Sequence, residues 1–207
     1  MKILFISDLN VCLEEEKLKE IYQNTNYDVI ISLGNNLPYD FEILFKYKKP
    51  NVKVYGLLGT NNTFKDFDGF DVKNINGSVI PLRGKRVFGL EGGYLYKDAD
   101  SPMYEDFQIN RVLSKLPYVD LLCSHTGPTG FYDDSDPYLR GFKGLQVYVK
   151  KQKPKYHVFG HYEENKEFLT FDKTKSFCVY GISLFDFDTG KMTNLYEEEK
   201  GTDDDNL

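Results

Sequence analysis

A chain of 207 residues, 41% hydrophobic and 28% charged, can bury a sizeable core and is too apolar to stay disordered. A net charge of -6 argues against bulk binding to nucleic acid, whose phosphates select basic surfaces. No stretch approaches a membrane span, and the apolar run after Lys2 stops at Asp8, too short for a signal-peptide core. Cys12, Cys123 and Cys178 are an odd, widely spaced set without a CxxC pair, and read as reduced thiols of a cytoplasmic protein.

In chain order, Ile3-Leu-Phe-Ile6 is a short unbroken apolar run, read as a strand buried on both faces. It ends in Ser7-Asp8-Leu9-Asn10, where Asp8 and Asn10 point the same way if the chain stays extended. A helix is predicted over 14–24, with Leu18, Ile21 and Tyr22 on one face. A second buried strand over 27–33 ends at Gly34-Asn35-Asn36, and a short helix over 41–48 is stopped by Pro50. A third strand over 52–58 ends at Gly59-Thr60-Asn61-Asn62. This β-α-β-α-β start predicts a parallel sheet. Residues 78–82 and 86–90 flank a Gly-containing turn and predict a hairpin. Ile109, Val112, Leu113 and Leu116 predict a helix over 105–116. A strand over 119–124 leads to His125, and 126–141, rich in Gly, Pro and Asp, is expected to be a long loop of the kind that forms lids. Phe142, Leu145 and Val149 mark a helix ending in a lysine-rich turn. Strands follow over 156–159, 176–181 and 183–196, the last folded back at Asp188-Thr-Gly190. Residues 1–196 are expected to form one domain, and the acidic run 197–207 to fray.

Five strand ends carry polar sets: Asp8 with Asn10, Asn35, Thr60 with Asn61 and Asn62, His125, and His161 with Glu163. Open α/β sheets hold their ligands at such ends. Asp and Glu offer anionic oxygen, His neutral nitrogen and Asn a carbonyl oxygen, which together are metal-binding chemistry. Asn35, Asn36, Asn61 and Asn62 are read equally as turn formers that tolerate positive φ. His157, inside a strand, reads as structural.

In the order of these ends the sequence resembles the calcineurin-like metallophosphoesterases. Ser7-Asp8-Leu9-Asn10 sits where that family has D-x-H, Gly34-Asn35 where it has G-D, and Gly59-Thr60-Asn61-Asn62 where it has G-N-H-D or G-N-H-E. Ser124-His125-Thr126-Gly127-Pro128 is similar to its S-H-x-x-P segment, and Gly160-His161-Tyr162-Glu163 to G-H-x-H. The resemblance implies an α/β protein built as a four-layer αββα sandwich with mixed sheets. It also implies divalent metal (Mn, Zn, Fe or Mg) at the strand ends. In the family two ions, roughly 3.5–4 Å apart, activate a water for attack on phosphorus. It puts Asp8, Asn10, Asn35, Asn61, His125, His161 and Glu163 at metal positions, and Asn61 and His125 at catalytic ones. Asp8, His125 and His161 keep the family's residue types. Asn10, Asn35, Thr60, Asn61 and Glu163 depart from them. A shift of one residue within 59–62 would let Asn61 stand in as the asparagine ligand.

The departures predict a depleted site. Glu163 is gained where Asn35 replaces the bridging aspartate, so ligand charge is unchanged and one ion at Asp8, Asn10 and Glu163 is feasible. Two dications 4 Å apart repel by roughly 16 kcal/mol at an effective dielectric of 20, and a neutral Asn35 offsets little of that. Asn61 cannot transfer a proton near neutral pH. The expected function is therefore a binding module for a small phosphorylated ligand or a partner protein, with one ion or none and weak or absent hydrolysis. Fold members that lack intact sites serve in this way. The alternative is a divergent metal-dependent phosphoesterase acting on a small phosphodiester or nucleotide.

Overall fold

In the computed structural model the described residues are 1–9, 14–97, 100–170 and 173–196. The expected acidic tail, Asn10 and Cys12 lie outside them. Two six-stranded sheets face each other. The first is ordered β14 (Lys191–Tyr196), β13 (Gly181–Asp186), β1 (Lys2–Ser7), β2 (Val29–Ser32), β3 (Val54–Gly56), β4 (Val72–Asn74). The second is ordered β11 (Lys166–Thr170), β12 (Thr174–Cys178), β10 (Tyr156–Phe159), β9 (Leu121–Ser124), β6 (Lys85–Leu90), β5 (Val79–Leu82). A small pair, β7 (Gly93–Tyr94) and β8 (Met103–Tyr104), stands apart.

Each sheet is parallel in its body and antiparallel at its margins. β1 to β4 run together, β13 turns back beside β1, and β14 runs antiparallel along the outside of β13. In the second sheet β6, β9, β10 and β12 run together, flanked by antiparallel β5 and β11. The parallel sheet expected from the chain's start is thus the centre of a mixed one.

Alternation along the strands sorts the layers. Ile3 and Phe5 of β1 point into the space between the sheets, where they join Val29 and Ile31 from the same sheet and Val87, Leu121, Cys123, Val158 and Phe177 from the other. Leu4 and Ile6 point the opposite way, onto the layer formed by α1 (Glu15–Asn24) and α2 (Pro38–Tyr47). Phe88 and Leu122 of the second sheet likewise meet α3 (Asp106–Leu113) and α4 (Lys143–Gln152). The result is the αββα sandwich. Phe185 sits in its middle layer, 4.8 Å from the Tyr156 ring and 5.6 Å from that of Phe177. Such aromatic pairs add about 1 kcal/mol each to the burial term. Cys123 and Cys178 are buried free thiols. No helix among the described residues is long and apolar enough to cross a membrane.

Helix α2 begins at Pro38, three residues earlier than the apolar spacing indicates, because proline fits the first turn of a helix. Its Asp40 is 3% exposed and accepts the Leu37 N–H at 2.7 Å. Burial pushes this carboxyl up to about 7, and the Leu37 bond opposes the shift only in part. A raised folded-state pKa means that stability present below pH 4 is lost as pH rises toward 7. Asp40→Asn keeps the acceptor oxygen and removes the charge. The variant's stability relative to the parent, read from urea midpoints, is expected to improve by on the order of 3 kcal/mol between pH 4 and pH 8. A pH-independent difference would show that Asp40 is not the titrating group.

Candidate functional site

The five polar strand ends meet on one rim, and hydrogen bonds join them across both sheets. Asp8, 4% exposed, follows β1. Its carboxylate accepts the Ser7 hydroxyl, the Asn35 Nδ2–H at 2.8 Å and the backbone N–H of His161 at 2.9 Å. Asn35, after β2, uses its Oδ1 to accept the backbone N–H of Asn61 at 2.8 Å. Asn62 is the hub of the neighbouring loop. Its Oδ1 accepts from the N–H groups of Asn35 and Gly59 at 2.7 and 2.8 Å, and its Nδ2 donates to the Asn36 carbonyl and to Asp66. Asn36 in turn donates to Ser32 and accepts from Leu9 N–H.

The backbone bends sharply to bring these groups together. Asp8, Asn35, His161 and Glu163 have φ of 54°, 53°, 76° and 48°. Asp and Asn tolerate this left-handed region, whereas in His and Glu it costs about 1–2 kcal/mol. Two glycines leave the room. A Cβ on Gly59 would run into Asn35 Oδ1 and stand 2.6 Å from both Asn35 N and His125 Cε1. One on Gly160 would overlap Ser7 Oγ and lie 2.8 Å from Asp8 Oδ2.

The two histidines face each other, ring centroids 4.9 Å apart at 63°. His125 Nδ1 lies 2.9 Å from the Leu33 carbonyl, and His161 Nε2 lies 2.7 Å from that of Tyr138. A carbonyl only accepts, so these nitrogens carry the protons. His125 Nε2 and His161 Nδ1 are then bare lone pairs, both buried and without a hydrogen-bond partner. Burial holds both rings below the usual histidine pKa, opposed at His125 chiefly by Asp8 and at His161 by its bond to the Tyr138 carbonyl and by Asp8, and so favours the neutral form. The expected long loop lies over them as a cover. The Tyr138 ring sits 4.7 Å from that of His161, Tyr96 stands edge-on to Tyr138, and Arg140 stacks 4.0 Å above Tyr94 while pairing with Asp106 at 2.9 Å.

Of the residues singled out by sequence, the rim brings together Asp8, Asn35, His125 and His161. Asn61 contributes its backbone N–H, and its side chain is exposed. Thr60, beside it, is 1% exposed with a bare hydroxyl. Glu163 is exposed and acts on His161 only through its charge. His157 lies within the second sheet, 2.8 Å from Ser124 Oγ. Ser7 and Asn62 complete the network. Sequence reasoning assigned Ser7 no binding role, whereas Asn62 belonged to the third polar set and was read equally as a turn former, and its side chain is spent on holding the loop.

The donor set bears on metal. The two bare imidazole nitrogens are of the neutral kind that ligates metal. Asp8, in contrast, already has an acceptor bond on one oxygen and two on the other. An amide, not an anion, stands between it and the 59–62 loop. Among the described residues no group of three or more His, Cys, Asp and Glu is placed to hold an ion. Among the described residues, one hydrogen-bonded carboxylate and two imidazoles do not make up a two-ion centre.

No protein-family model matches the sequence, and no curated protein matches it. Solved structures do match. TT1561 of Thermus thermophilus is 18% identical with a TM-score of 0.67, covering 94% of this chain and 99% of that one. The 5'-nucleotidase of Candida albicans is 11% identical with a TM-score of 0.52. That match covers 88% of this chain and 46% of the nucleotidase. At these identities the likeness is one of fold, and the fold is that of the calcineurin-like metallophosphoesterases.

Proposed function

We propose that this chain uses the metallophosphoesterase fold as a binding module, holding a small phosphorylated ligand or a partner protein, with phosphoester hydrolysis weak or absent. The observation that carries this reading is the 2.8 Å bond from Asn35 Nδ2 to Asp8. Two carboxylates that close repel unless a cation or a shared proton lies between them. An amide removes the conflict by donating a hydrogen, so the position does without the cation. The exposed Asn61 side chain points the same way, since an amide has no proton to give a leaving group near neutral pH.

What remains at the rim is a pair of hydrogen-bond acceptors. The lone pairs of His125 Nε2 and His161 Nδ1 would receive hydroxyl or amide donors of a ligand, and the Tyr138 cover would exclude water from them. The same lone pairs, with Glu163 nearby, are what a one-ion hydrolase would use, and that is the second reading. Metal analysis of the purified protein, together with hydrolysis of an aryl phosphodiester, separates the two. Binding predicts less than one ion per chain and turnover at background, indifferent to chelator. Two tightly held ions with fast, chelator-sensitive turnover would overturn it.

A further inference from the structure

A second surface lies away from the rim, on the outer helix layer of the second sheet. Helices α3 and α4 are drawn together at their starts. Arg140 and the Lys143 N–H both bind Asp106, and a Cβ on Gly144 would stand 2.6 Å from Asn110 Oδ1. A cavity of about 280 Å³ opens between Leu113 and Ser114 on one side and Val147 and Lys151 on the other. Val147, which lines it, is 51% exposed. Phe107, on α3 one turn before the lining residue Asn110, is 66% exposed. Burying a side chain of this size gains about 2 kcal/mol.

The charge here runs against that of the whole molecule. Segments 106–115 and 143–152 hold five basic residues and one acid, Asp106, in a chain of net charge -6. Cations at helix carboxyl ends complement the helix dipole, which accounts for Arg111, Lys150 and Lys151. It does not account for Lys143, the first residue of α4, where a cation is unfavourable. Nor does it account for Phe107 in water.

We infer that the α3–α4 groove docks an acidic, amphipathic helical segment of a partner protein, its apolar face in the groove and its carboxylates on the surrounding lysines. Amphipathic helices are recognised in grooves of this kind by apolar anchors one turn apart. The apolar floor favours a peptide over nucleic acid, which would want a phosphate track with stacking partners. The inference is independent of the strand-end reading.

The test uses the full chain and two labelled helix-forming peptides with leucines at i, i+4 and i+7, one filled in with Glu and the other with Lys. A single-stranded oligonucleotide and phosphatidylserine vesicles serve as further probes. By fluorescence anisotropy the Glu peptide is expected to bind at least about ten-fold tighter than the Lys peptide, and to weaken with added salt. The double variant V147D/K151E, changed at two exposed positions, should lose about ten-fold or more. The same double variant should match the parent in metal content and in aryl phosphodiester hydrolysis, which keeps this site's outcome apart from the rim's. Equal affinity for both peptides, binding of neither, or tighter binding of the oligonucleotide or vesicles would overturn the inference.

Discussion

Replacing Asn35 by aspartate is expected to destabilise the chain by about 3 kcal/mol at pH 7.5 in the presence of chelator, the scale for an uncompensated buried charge. The substitution is nearly isosteric, so the loss comes from chemistry. The Nδ2 donor to Asp8 disappears, and two buried carboxylates are left within hydrogen-bond distance of each other. One of them will take up a proton at unusually high pH, so the loss should shrink toward pH 5. A divalent ion would do the same work better. Manganese or zinc is therefore expected to raise the variant's urea midpoint markedly while barely moving the parent's. A variant as stable in chelator as the parent would show that the Asn35–Asp8 bond is dispensable. It would also remove the main support for the binding reading.

The second large effect belongs to Gly59. An alanine there has its new methyl blocked by backbone and by a buried ring, since Asn35 N and His125 Cε1 both lie 2.6 Å from the Cβ position. Neither can swing aside as a flexible side chain could. The 59–62 loop must shift, and the shift breaks the bonds of Asn35 and Gly59 to Asn62 and of Asn61 to Asn35. Overpacking costs about 1–3 kcal/mol and each broken buried bond about 1 kcal/mol more, so a loss of about 4 kcal/mol in urea unfolding is expected. Gly77→Ala is the control. Gly77 has φ of +65° and open space around it, so only the backbone term of about 1 kcal/mol should appear. Equal losses for the two variants would mean that the rim is not tightly packed at Gly59.

Much of the fold was legible because buried parallel strands announce themselves as short apolar runs that end abruptly. Residues 3–6 behave this way, and β1 does stop at Ser7. The edge elements β4, β7, β8 and β11 were not legible. Three of them are two or three residues long, too short for any period, and β11, Lys-Glu-Phe-Leu-Thr, puts two charged residues before two apolar ones and so shows no strand alternation. The polar strand ends could be read, and so could their departures from the family's residues. Which side chain of Thr60-Asn61-Asn62 turns inward could not, because in a tight loop direction follows the local φ and ψ and not a period. Asn35 was read both as a turn former and as a site residue, and it has the features of each, with φ of 53° and a direct bond to Asp8.

The backbone amides of Asp8, Asn35, Asn61 and His161 all donate inward, to the Gly34 carbonyl, Asn62, Asn35 and Asp8. Loops that admit a substrate and release a product must part on the timescale of turnover, and they part readily when water can take over their bonds. Here parting would break several bonds together, most of them buried. A rim tied in this way suits a surface met by a partner without rearrangement, and it works against the repeated opening that turnover needs.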